Sequence, residues 1–490
     1  MIIILTDINA FMTSQTTRTE HDSLGPLSVP ADALWGAQTQ RAVENFPISG
    51  TPMPAPFIQA VARIKAACAR ANQTLGRLSQ SKADAIVQAA TEIMEGRYLD
   101  QFPVDVFQTG SGTSTNMNAN EVIAHLASQQ SGESIHPNDD VNMSQSSNDV
   151  IPTAIHLSAA LALETQLLPA LAQAQTILQN KARAVQGLVK TGRTHLMDAM
   201  PVRLDQELDT WHQQLADNAD RLQSVKTRLH QLPQGGTAVG TGINAPAGFG
   251  KVFCKCLTQQ CQQENALKHL DFSPMPNPFV GLSSQDTALE LSGQLNTLAA
   301  GLVKIANDLR WMNSGPLAGL GEIQLPALQP GSSIMPGKIN PVIPEAVAMV
   351  GAQIMGNHTA LTLAGQSGNF QLNVMLPLVA TRLLESLNLS ANALTTLATK
   401  AIDGFQVNEQ NLSQTLAVNP ILVTALNALV GYETGAAIAK EAYRSGRPVL
   451  DVAEEMTSLD RQSLAHYLDP KKLTHGGLPE DFHTPKHTSD

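Results

Sequence analysis

The sequence predicts a mainly α-helical fold built around a bundle of long helices. Of its 490 residues, 43% are hydrophobic and only 15% are charged, which indicates a large buried interior. Aromatic residues make up only 4%, so aliphatic side chains must fill most of that interior. Leucines recur at helical spacing through the middle of the chain. Helices with so little charge would bury surface against other subunits as well, and we expect an oligomer.

The charge and cysteine content argue against several classes of protein, namely nucleic-acid-binding, membrane-binding, disulfide-stabilised and zinc-binding proteins. A net charge of −11 argues against nucleic-acid or anionic-membrane partners, so a dianionic substrate would need local positive groups such as Lys338. Four cysteines are too few and too clustered for a disulfide scaffold, which fits a reducing compartment. The spacing of Cys254, Cys256 and Cys261 matches no zinc motif. We therefore expect no metal and no cofactor.

The first two predicted segments precede the long helices. Residues 1–16 contain an apolar run that is too short to span a membrane and lacks the basic flank of a targeting peptide, so they are predicted to be a frayed extension. Residues 17–145 form a predicted N-terminal domain. Helical periodicity broken by turns between about 56 and 127 predicts that this domain is mostly helical.

Residues 146–409 form a predicted central domain of five long helices, and residues 410–490 a small helical C-terminal domain with a disordered tail. The last two long helices are expected after Pro344 and across Thr381–Lys400. The first three are marked by apolar stripes at Leu161, Leu168, Leu171 and Leu178; at Leu204, Leu208, Leu215, Leu222, Val225 and Leu229; and at Leu291, Leu295, Leu298, Leu302, Ile305 and Leu309.

Two polar motifs are predicted to lie at helix starts. Thr109–Glu121 places hydroxyls and amides just ahead of the apolar run Val122–Ala124, where they would cap a helix. Ser144–Asp149 does the same before the first long helix. Free N–H groups and the positive end of the helix dipole make such starts suitable for carboxylates as well.

Between these motifs lies His136–Asp139, for which two interpretations stay open. The segment is either a capped turn or a secondary site for a dicarboxylate. Glu133, Ser134 and Met143 supply no positive charge around it, which weakens the second interpretation.

Two further motifs separate the long helices. Thr191–Pro201 contains His195, a residue type that serves as an acid or base in many enzymes but is more often structural in a turn. Gly235–Asn244 is rich in glycine, yet it has neither the GxGxxG nor the GxxxxGK[ST] spacing of nucleotide-binding loops.

The most informative stretch is Gly331–Pro341, which reads GSSIMPGKINP and is followed by Glu345 at a helix start. Its glycines free backbone N–H groups, its prolines stiffen the far end, and Lys338 adds an ammonium. Together these donors could hold a carboxylate or developing enolate charge, and a serine among them could act as a base if they stabilise its alkoxide.

This stretch resembles the signature of the aspartase/fumarase superfamily, and its form is most similar to that of class II fumarases. The similarity runs from about Thr17 to Leu473. His195 and Ser147 match fumarases, where aspartases typically have glutamine and threonine. Met197 departs from the glutamine found in many fumarases.

The resemblance implies a reaction and a set of roles. It implies reversible addition of water to fumarate, giving (S)-malate in the tricarboxylic acid cycle, by a cytoplasmic enzyme. Ser332 would be the base, and His195, oriented by Glu345, would activate or protonate the water oxygen. Substrate contacts are implied for Ser111, Gly112, Thr113, Ser146, Ser147, Asn148, Thr194, Ser333, Lys338 and Asn340, and a secondary dicarboxylate site for His136, Pro137, Asn138 and Asp139.

The resemblance also implies a homotetramer with a twenty-helix core and active sites shared between subunits. Two alternative functions are an aspartate ammonia-lyase with the same fold and a non-catalytic structural relative, such as the lens proteins of this superfamily. Argininosuccinate and adenylosuccinate lyases fit less well, because the similarity to fumarases extends well beyond the signature.

Overall fold

The structure is a computed structural model that describes residues 16–477. The predicted extension and tail therefore lie almost wholly outside the described residues. Helices dominate, which confirms the predicted mainly α-helical fold. The helices are α1 Ala37–Asn45, α2 Ala55–Thr74, α3 Gln80–Met94, α4 Thr113–Ser131, α5 Ser147–Ala162, α6 Leu168–Ala184, α7 Leu204–Leu229, α8 Phe249–Cys261, α9 Pro278–Ser283, α10 Asp286–Met312, α11 Val342–Gly365, α12 Leu376–Leu397, α13 Glu409–Ala417, α14 Asn427–Val430, α15 Tyr432–Ser445, α16 Val449–Met456, α17 Arg461–Tyr467 and α18 Pro470–Leu473.

The strands within residues 16–477 are short and form two-stranded sheets, of which only the β5–β6 pair is parallel. The strands are β1 Thr17–Asp22, β2 Gly25–Pro30, β3 Val189–Thr194, β4 Met197–Arg203, β5 Gln231–Leu232, β6 Ser273–Pro274, β7 Ile323–Gln324, β8 Gly368–Asn369, β9 Leu372–Asn373 and β10 Gln406–Val407. The pairs are β1–β2, β3–β4, β5–β6, β7–β10 and β8–β9.

The long helices lie where the apolar stripes predict them. A π-helical turn at Leu163–Leu167 joins α5 and α6 into one continuous stretch, and every stripe residue of α7 and α10 is buried. The helix expected after Pro344 begins slightly earlier, at Val342. Pro344 therefore lies in the first turn, where its missing N–H leaves no helical bond unmade.

The chain folds into two compact units. Of the described residues, the first comprises 16–169, 219–299 and 352–391. At its centre lies α2, which packs against α3, α5 and α8 and buries most of its length. The division into three domains at residues 145 and 409 stays a prediction.

The second unit comprises, of the described residues, 170–218, 300–351 and 392–477. Its C-terminal helices enclose a hydrophobic cluster that includes Leu426, Ile438, Val452 and Leu464. The β3–β4 hairpin packs against α13 and against the 3₁₀ segment Pro420–Leu426. These contacts fix the base of the hairpin that carries His195.

Within the described residues, the stretch Ser147–Ala184 is long and apolar enough to cross a membrane by length and composition. However, 67% of its most apolar window is buried inside the protein. The bent pair Glu409–Ala417 and Pro420–Val430 passes the same test only if it is counted as one span. Burial in a protein core accounts for the apolar character of Ser147–Ala184.

Candidate active site

In the first unit, the motif Thr109–Glu121 spans the start of a helix: residues 109–112 precede the helix and residues 113–121 form its first turns. The expectation that side chains of the motif cap the helix is wrong, because Gly112 is the N-cap residue and no side chain of the motif caps the helix start. Helix α4 begins at Thr113, well before the apolar run at Val122. Gly112 precedes it with φ +70°, and a Cβ there would lie 3.0 Å from the Ile151 side chain. Only glycine fits this turn without strain.

The second polar motif caps α5 as the sequence predicts. The Ser146 hydroxyl accepts a hydrogen bond from the N–H of Asn148 (3.2 Å), and the Asp149 carboxylate accepts one from the N–H of Ser146 (2.9 Å). This reciprocal capping box satisfies backbone N–H groups at the start of α5 and fixes the position of Ser146.

A buried amide joins these two helix starts. The Asn116 Nδ2 donates to Ser147 Oγ at 3.0 Å and to Asn142 Oδ1 at 3.2 Å. Nearby, the hydroxyls of Ser111 and Thr113 lie 2.7 Å apart. The structure thus brings together the predicted substrate-binding segments Ser111–Thr113 and Ser146–Asn148.

The glycine-rich turn joins the same cluster. The Asp149 Oδ2 accepts hydrogen bonds from the N–H groups of Gly235 and Thr237, both at 2.9 Å. Asn148 Nδ2 donates to the carbonyl of Ala238 at 2.8 Å. Burial raises the pKa of the Asp149 carboxyl, while its three backbone N–H donors oppose that shift. The glycine-rich turn therefore stabilises the start of α5 through its hydrogen bonds to Asp149 and Asn148.

Lys65 supports the two helix starts through Asn142, which also accepts the hydrogen bond from Asn116. The sequence analysis missed this lysine. Its fully buried ammonium donates to Asn142 Oδ1 and Gln145 Oε1, both at 2.9 Å. Burial lowers its pKa to about 7. The sequence does contain a signal for it, because Lys65 lies inside the apolar helical run Phe57–Ala71. A charged side chain buried in such a run destabilises the fold unless it has hydrogen-bond partners.

The segment His136–Asp139 has the contacts of a capped turn. The His136 Nδ1 accepts a hydrogen bond from the N–H of Asp139 at 3.1 Å at the start of a π-helical turn. His136, Pro137 and Asn138 also line a cavity of about 500 Å³ together with Arg18 and His125. Binding of a dicarboxylate there stays a prediction.

In the second unit, His195 lies at the tip of the β3–β4 hairpin. Thr194 pairs with Met197, so His195 and Leu196 form a two-residue turn with φ of +55° and +60°. Positive φ at both positions is the geometry of a type I′ turn, which non-glycine residues adopt at an energetic cost. The histidine, like its neighbours Thr194 and Leu196, is exposed.

The signature stretch forms a loop closed by its own backbone. The Gly331 N–H donates to the Lys338 carbonyl at 2.9 Å, and Asn340 Nδ2 donates to the Gly331 carbonyl at 2.7 Å. A Cβ at residue 331 would lie only 2.3 Å from the Lys338 oxygen. Glycine is therefore required for closure.

Inside this loop, the Ser332 hydroxyl accepts two backbone hydrogen bonds. The donors are the N–H groups of Ile334 at 3.2 Å and Met335 at 3.0 Å. Such donors favour negative charge on the oxygen. Ser333 and Lys338 are exposed, and Asn340 is half-buried.

A cavity of about 1100 Å³ lies beside this loop in the second unit. Its wall includes Lys338, Asn340 and Glu345, together with Arg310 and Asn408. Glu345 is exposed in the first turn of α11, near the positive end of the helix dipole. The cavity is large enough for a small dicarboxylate and surrounding water.

Within residues 16–477 of a single chain, no hydrogen bond or ion pair links His195 to Glu345 or to the signature loop. The structure also reveals ion pairs that join the hairpin to the rest of the unit, between the buried Lys190, the half-buried Arg193 and the buried Glu322, and the sequence analysis missed them. Their pairing joins segments far apart in the chain, and no local pattern indicates it.

Comparison with known proteins identifies the family. Residues 25–356 match the family described as "Lyase", and residues 422–475 match "Fumarase C C-terminus". A "Fumarate hydratase class II" from Xylella fastidiosa is 58% identical over 95% of this chain and 97% of that protein. A "Fumarate hydratase class II 2" from Pseudomonas aeruginosa is 59% identical over 94% and 99%.

A solved structure agrees with these matches. The crystal structure of a class II fumarase from Schistosoma mansoni superposes with a TM-score of 0.91 at 37% identity, covering 94% of this chain and 99% of that one. The chain therefore belongs to the class II fumarases of the aspartase/fumarase superfamily.

Proposed function

We propose that the protein is a fumarate hydratase that adds water reversibly and stereospecifically to fumarate, giving (S)-malate, as a cytoplasmic enzyme of the tricarboxylic acid cycle. The names of its relatives support this reaction. The observation that carries the proposal is the Ser332 hydroxyl, whose oxygen accepts two backbone N–H bonds in the loop that presents Lys338. This is the environment that a serine base needs.

Ser332 acts as the carbon base. In dehydration it removes the proton from the malate carbon next to a carboxylate, and the electron pair passes into that carboxylate as an aci-carboxylate. Because a free serine is far too weak an acid to form an alkoxide readily, the N–H groups of Ile334 and Met335 must hold that negative charge. In hydration the Ser332 proton returns to carbon.

His195 handles the proton of the oxygen. In hydration it accepts a proton from water as the oxygen forms its bond to the alkene carbon, and in dehydration it protonates the leaving hydroxyl. Glu345 orients the imidazole and stabilises its cation, as the third group of a triad does. Both side chains are exposed in the single chain, which leaves them free to meet across a subunit boundary.

The two substrate carboxylates require donors on both sides. Lys338, Ser333 and Thr194 provide an ammonium and hydroxyls, and Asn340 closes the loop through its bond to Gly331. The helix starts provide the remaining contacts, which we assign to Ser111, Gly112, Thr113, Ser146, Ser147 and Asn148.

We further propose a homotetramer whose twenty-helix core includes α11 and whose active sites are shared between subunits. Met349, Met355 and Leu363 of α11 are 69%, 37% and 56% exposed. At 100° per residue they fall within roughly a third of the helix circumference, so they form one apolar stripe that a partner subunit would cover.

The proposal is tested by following the ultraviolet absorbance of fumarate with the purified protein. We expect absorbance to fall without ammonium and to rise when malate is supplied. Ser332→Ala and His195→Asn are expected to abolish most of the activity while the protein stays folded. Consumption of fumarate only in the presence of ammonium would instead indicate an aspartate ammonia-lyase.

A further inference from the structure

A network of charges centred on the buried Lys190 and Glu322 lies along β3 of the hairpin that carries His195. The Lys190 ammonium, 2% exposed, lies 2.6 Å from Glu322 Oε2 and 2.9 Å from Glu207 Oε2. The Arg193 guanidinium lies 2.8 Å from Glu322 Oε1. The two oxygens of the Glu322 carboxylate, which is 3% exposed, therefore form ion pairs with two cations of the same strand, β3. Among the described residues neither oxygen accepts a hydrogen bond, so the attraction is that of opposite charges in a buried place.

Glu322 itself is fixed to a different part of the unit. Its N–H donates to the carbonyl of Met312 at the end of α10, at 2.8 Å, and its carbonyl accepts from the N–H of Asn408 at 2.9 Å. The next residues form β7, which pairs with β10. The carboxylate thus extends from a rigid base on which the hairpin rests.

The tip of the hairpin has little else to hold it. Residues 194–198 are exposed, and Arg193 lies only two positions before His195. Asn419 Nδ2 donates to the Ala199 carbonyl of β4 at 2.9 Å and to Thr191 Oγ1 of β3 at 3.4 Å, so it holds both strands below the tip. The Glu322 carboxylate adds a second anchor on β3 nearer to the tip, at Arg193, and the two anchors together set the direction in which the turn projects.

We propose that Glu322 is a positioning residue for His195: its buried carboxylate clamps Lys190 and Arg193 and so fixes the hairpin tip in the geometry that proton transfer requires. This inference rests on the proposed function, in which His195 acts on the water oxygen. The four side chains balance two positive charges against two negative ones. Replacing Glu322 with glutamine leaves one excess positive charge in the clamp and loosens β3.

The test compares kcat and KM for fumarate in purified Glu322→Gln, Glu322→Asp and Arg193→Gln. We expect Glu322→Gln to lower kcat by about 10-fold or more with KM changed less than about 2-fold, because small displacements of an acid or base affect the chemical step most. Glu322→Asp keeps the charge and should recover part of kcat. Arg193→Gln removes only the less buried of the two cations that pair with Glu322. It should also lower kcat with little change in KM, but by a smaller factor than Glu322→Gln.

Glu164→Gln is the matched control. Glu164 is a carboxylate of similar burial, 6% exposed, that pairs with Lys226 and His269 in the other unit. It contacts none of the proposed catalytic residues, and its replacement should leave kcat unchanged.

Hydrogen–deuterium exchange of residues 189–203 supplies a readout independent of turnover, and we expect faster exchange in Glu322→Gln than in wild type. Normal kcat, or unchanged exchange in a folded Glu322→Gln, would overturn the inference, as would an equal loss of kcat in Glu164→Gln. An inactive wild type would refute the proposed function instead, and the exchange measurement would still decide whether Glu322 holds the hairpin.

Discussion

Replacing Gly331 with alanine should open the signature loop and reduce activity without unfolding the protein. The new Cβ would lie 2.3 Å from the Lys338 oxygen and 2.9 Å from the Asn340 nitrogen, both backbone atoms that cannot rotate away. The loop would have to open by about 1 Å, losing two hydrogen bonds worth about 1 kcal/mol each. A loss of about 1.4 kcal/mol of transition-state stabilisation lowers the rate about tenfold. A loss of about 2 kcal/mol should therefore lower kcat/KM for fumarate roughly 30-fold.

The assay follows fumarate absorbance, and a thermal melt of the same sample checks folding. Gly337→Ala is the matched control in the same loop, because Gly337 has φ +83° but a methyl group added there would have no atom within 4 Å. An alanine at this positive φ adds only about 1 kcal/mol of backbone strain, so kcat/KM should fall only about 5-fold. Full activity of Gly331→Ala, or a larger loss in Gly337→Ala, would refute the assignment of loop closure to Gly331.

The proposed base, the exposed stripe of α11 and a buried histidine each allow a direct test. Ser332→Ala should lower kcat at least about 1000-fold with a smaller change in KM, measured by steady-state kinetics, because a base acts in the chemical step. Met349→Glu should place a charge in the proposed subunit contact, and size-exclusion chromatography should show species smaller than the tetramer. Burial lowers the pKa of His156 from 6.5 to about 4, so between those pH values only the unfolded chain binds the proton. The free energy of unfolding should therefore fall by roughly 3 kcal/mol per chain as pH drops through that range, and urea titrations at pH 7 and 4.5 should show a smaller drop in His156→Gln. An equal drop in that variant would assign the acid sensitivity elsewhere.

Local patterns in the sequence predicted the helices well. The stripes of α7 and α10 are fully buried, because apolar residues at helical spacing leave a single face to pack. The capping box at Ser146 was also predictable, since a serine with an acid three residues later satisfies the helix start locally. Both signals lie within one or two turns of the residues concerned.

Helix boundaries within polar motifs were harder to predict. Helix α4 begins inside the motif rather than after it, because Asn116, Asn118 and Asn120 find buried surroundings that outweigh their poor helix propensity. One of these amides, that of Asn116, joins two helix starts through Ser147. Propensity alone carries no information about such a distant partner.

The supports of the candidate site were not predictable from spacing. Lys65 bonds to residues about 80 positions away, and Lys190 meets Glu322 more than a hundred positions later. The positive φ of His195 likewise depends on the pairing of the strands on either side. Contacts of this kind arise only when the whole unit has folded.

A subunit-mixing experiment most directly tests the central claim that Ser332 and His195 act together in a site shared between chains. Inactive Ser332→Ala and His195→Asn tetramers would be unfolded together, refolded, and assayed for fumarate hydration. If each site takes the two residues from different chains, random mixing should restore about a quarter of the wild-type sites, with activity to match. Mixed tetramers that remain as inactive as their parents would contradict the shared site.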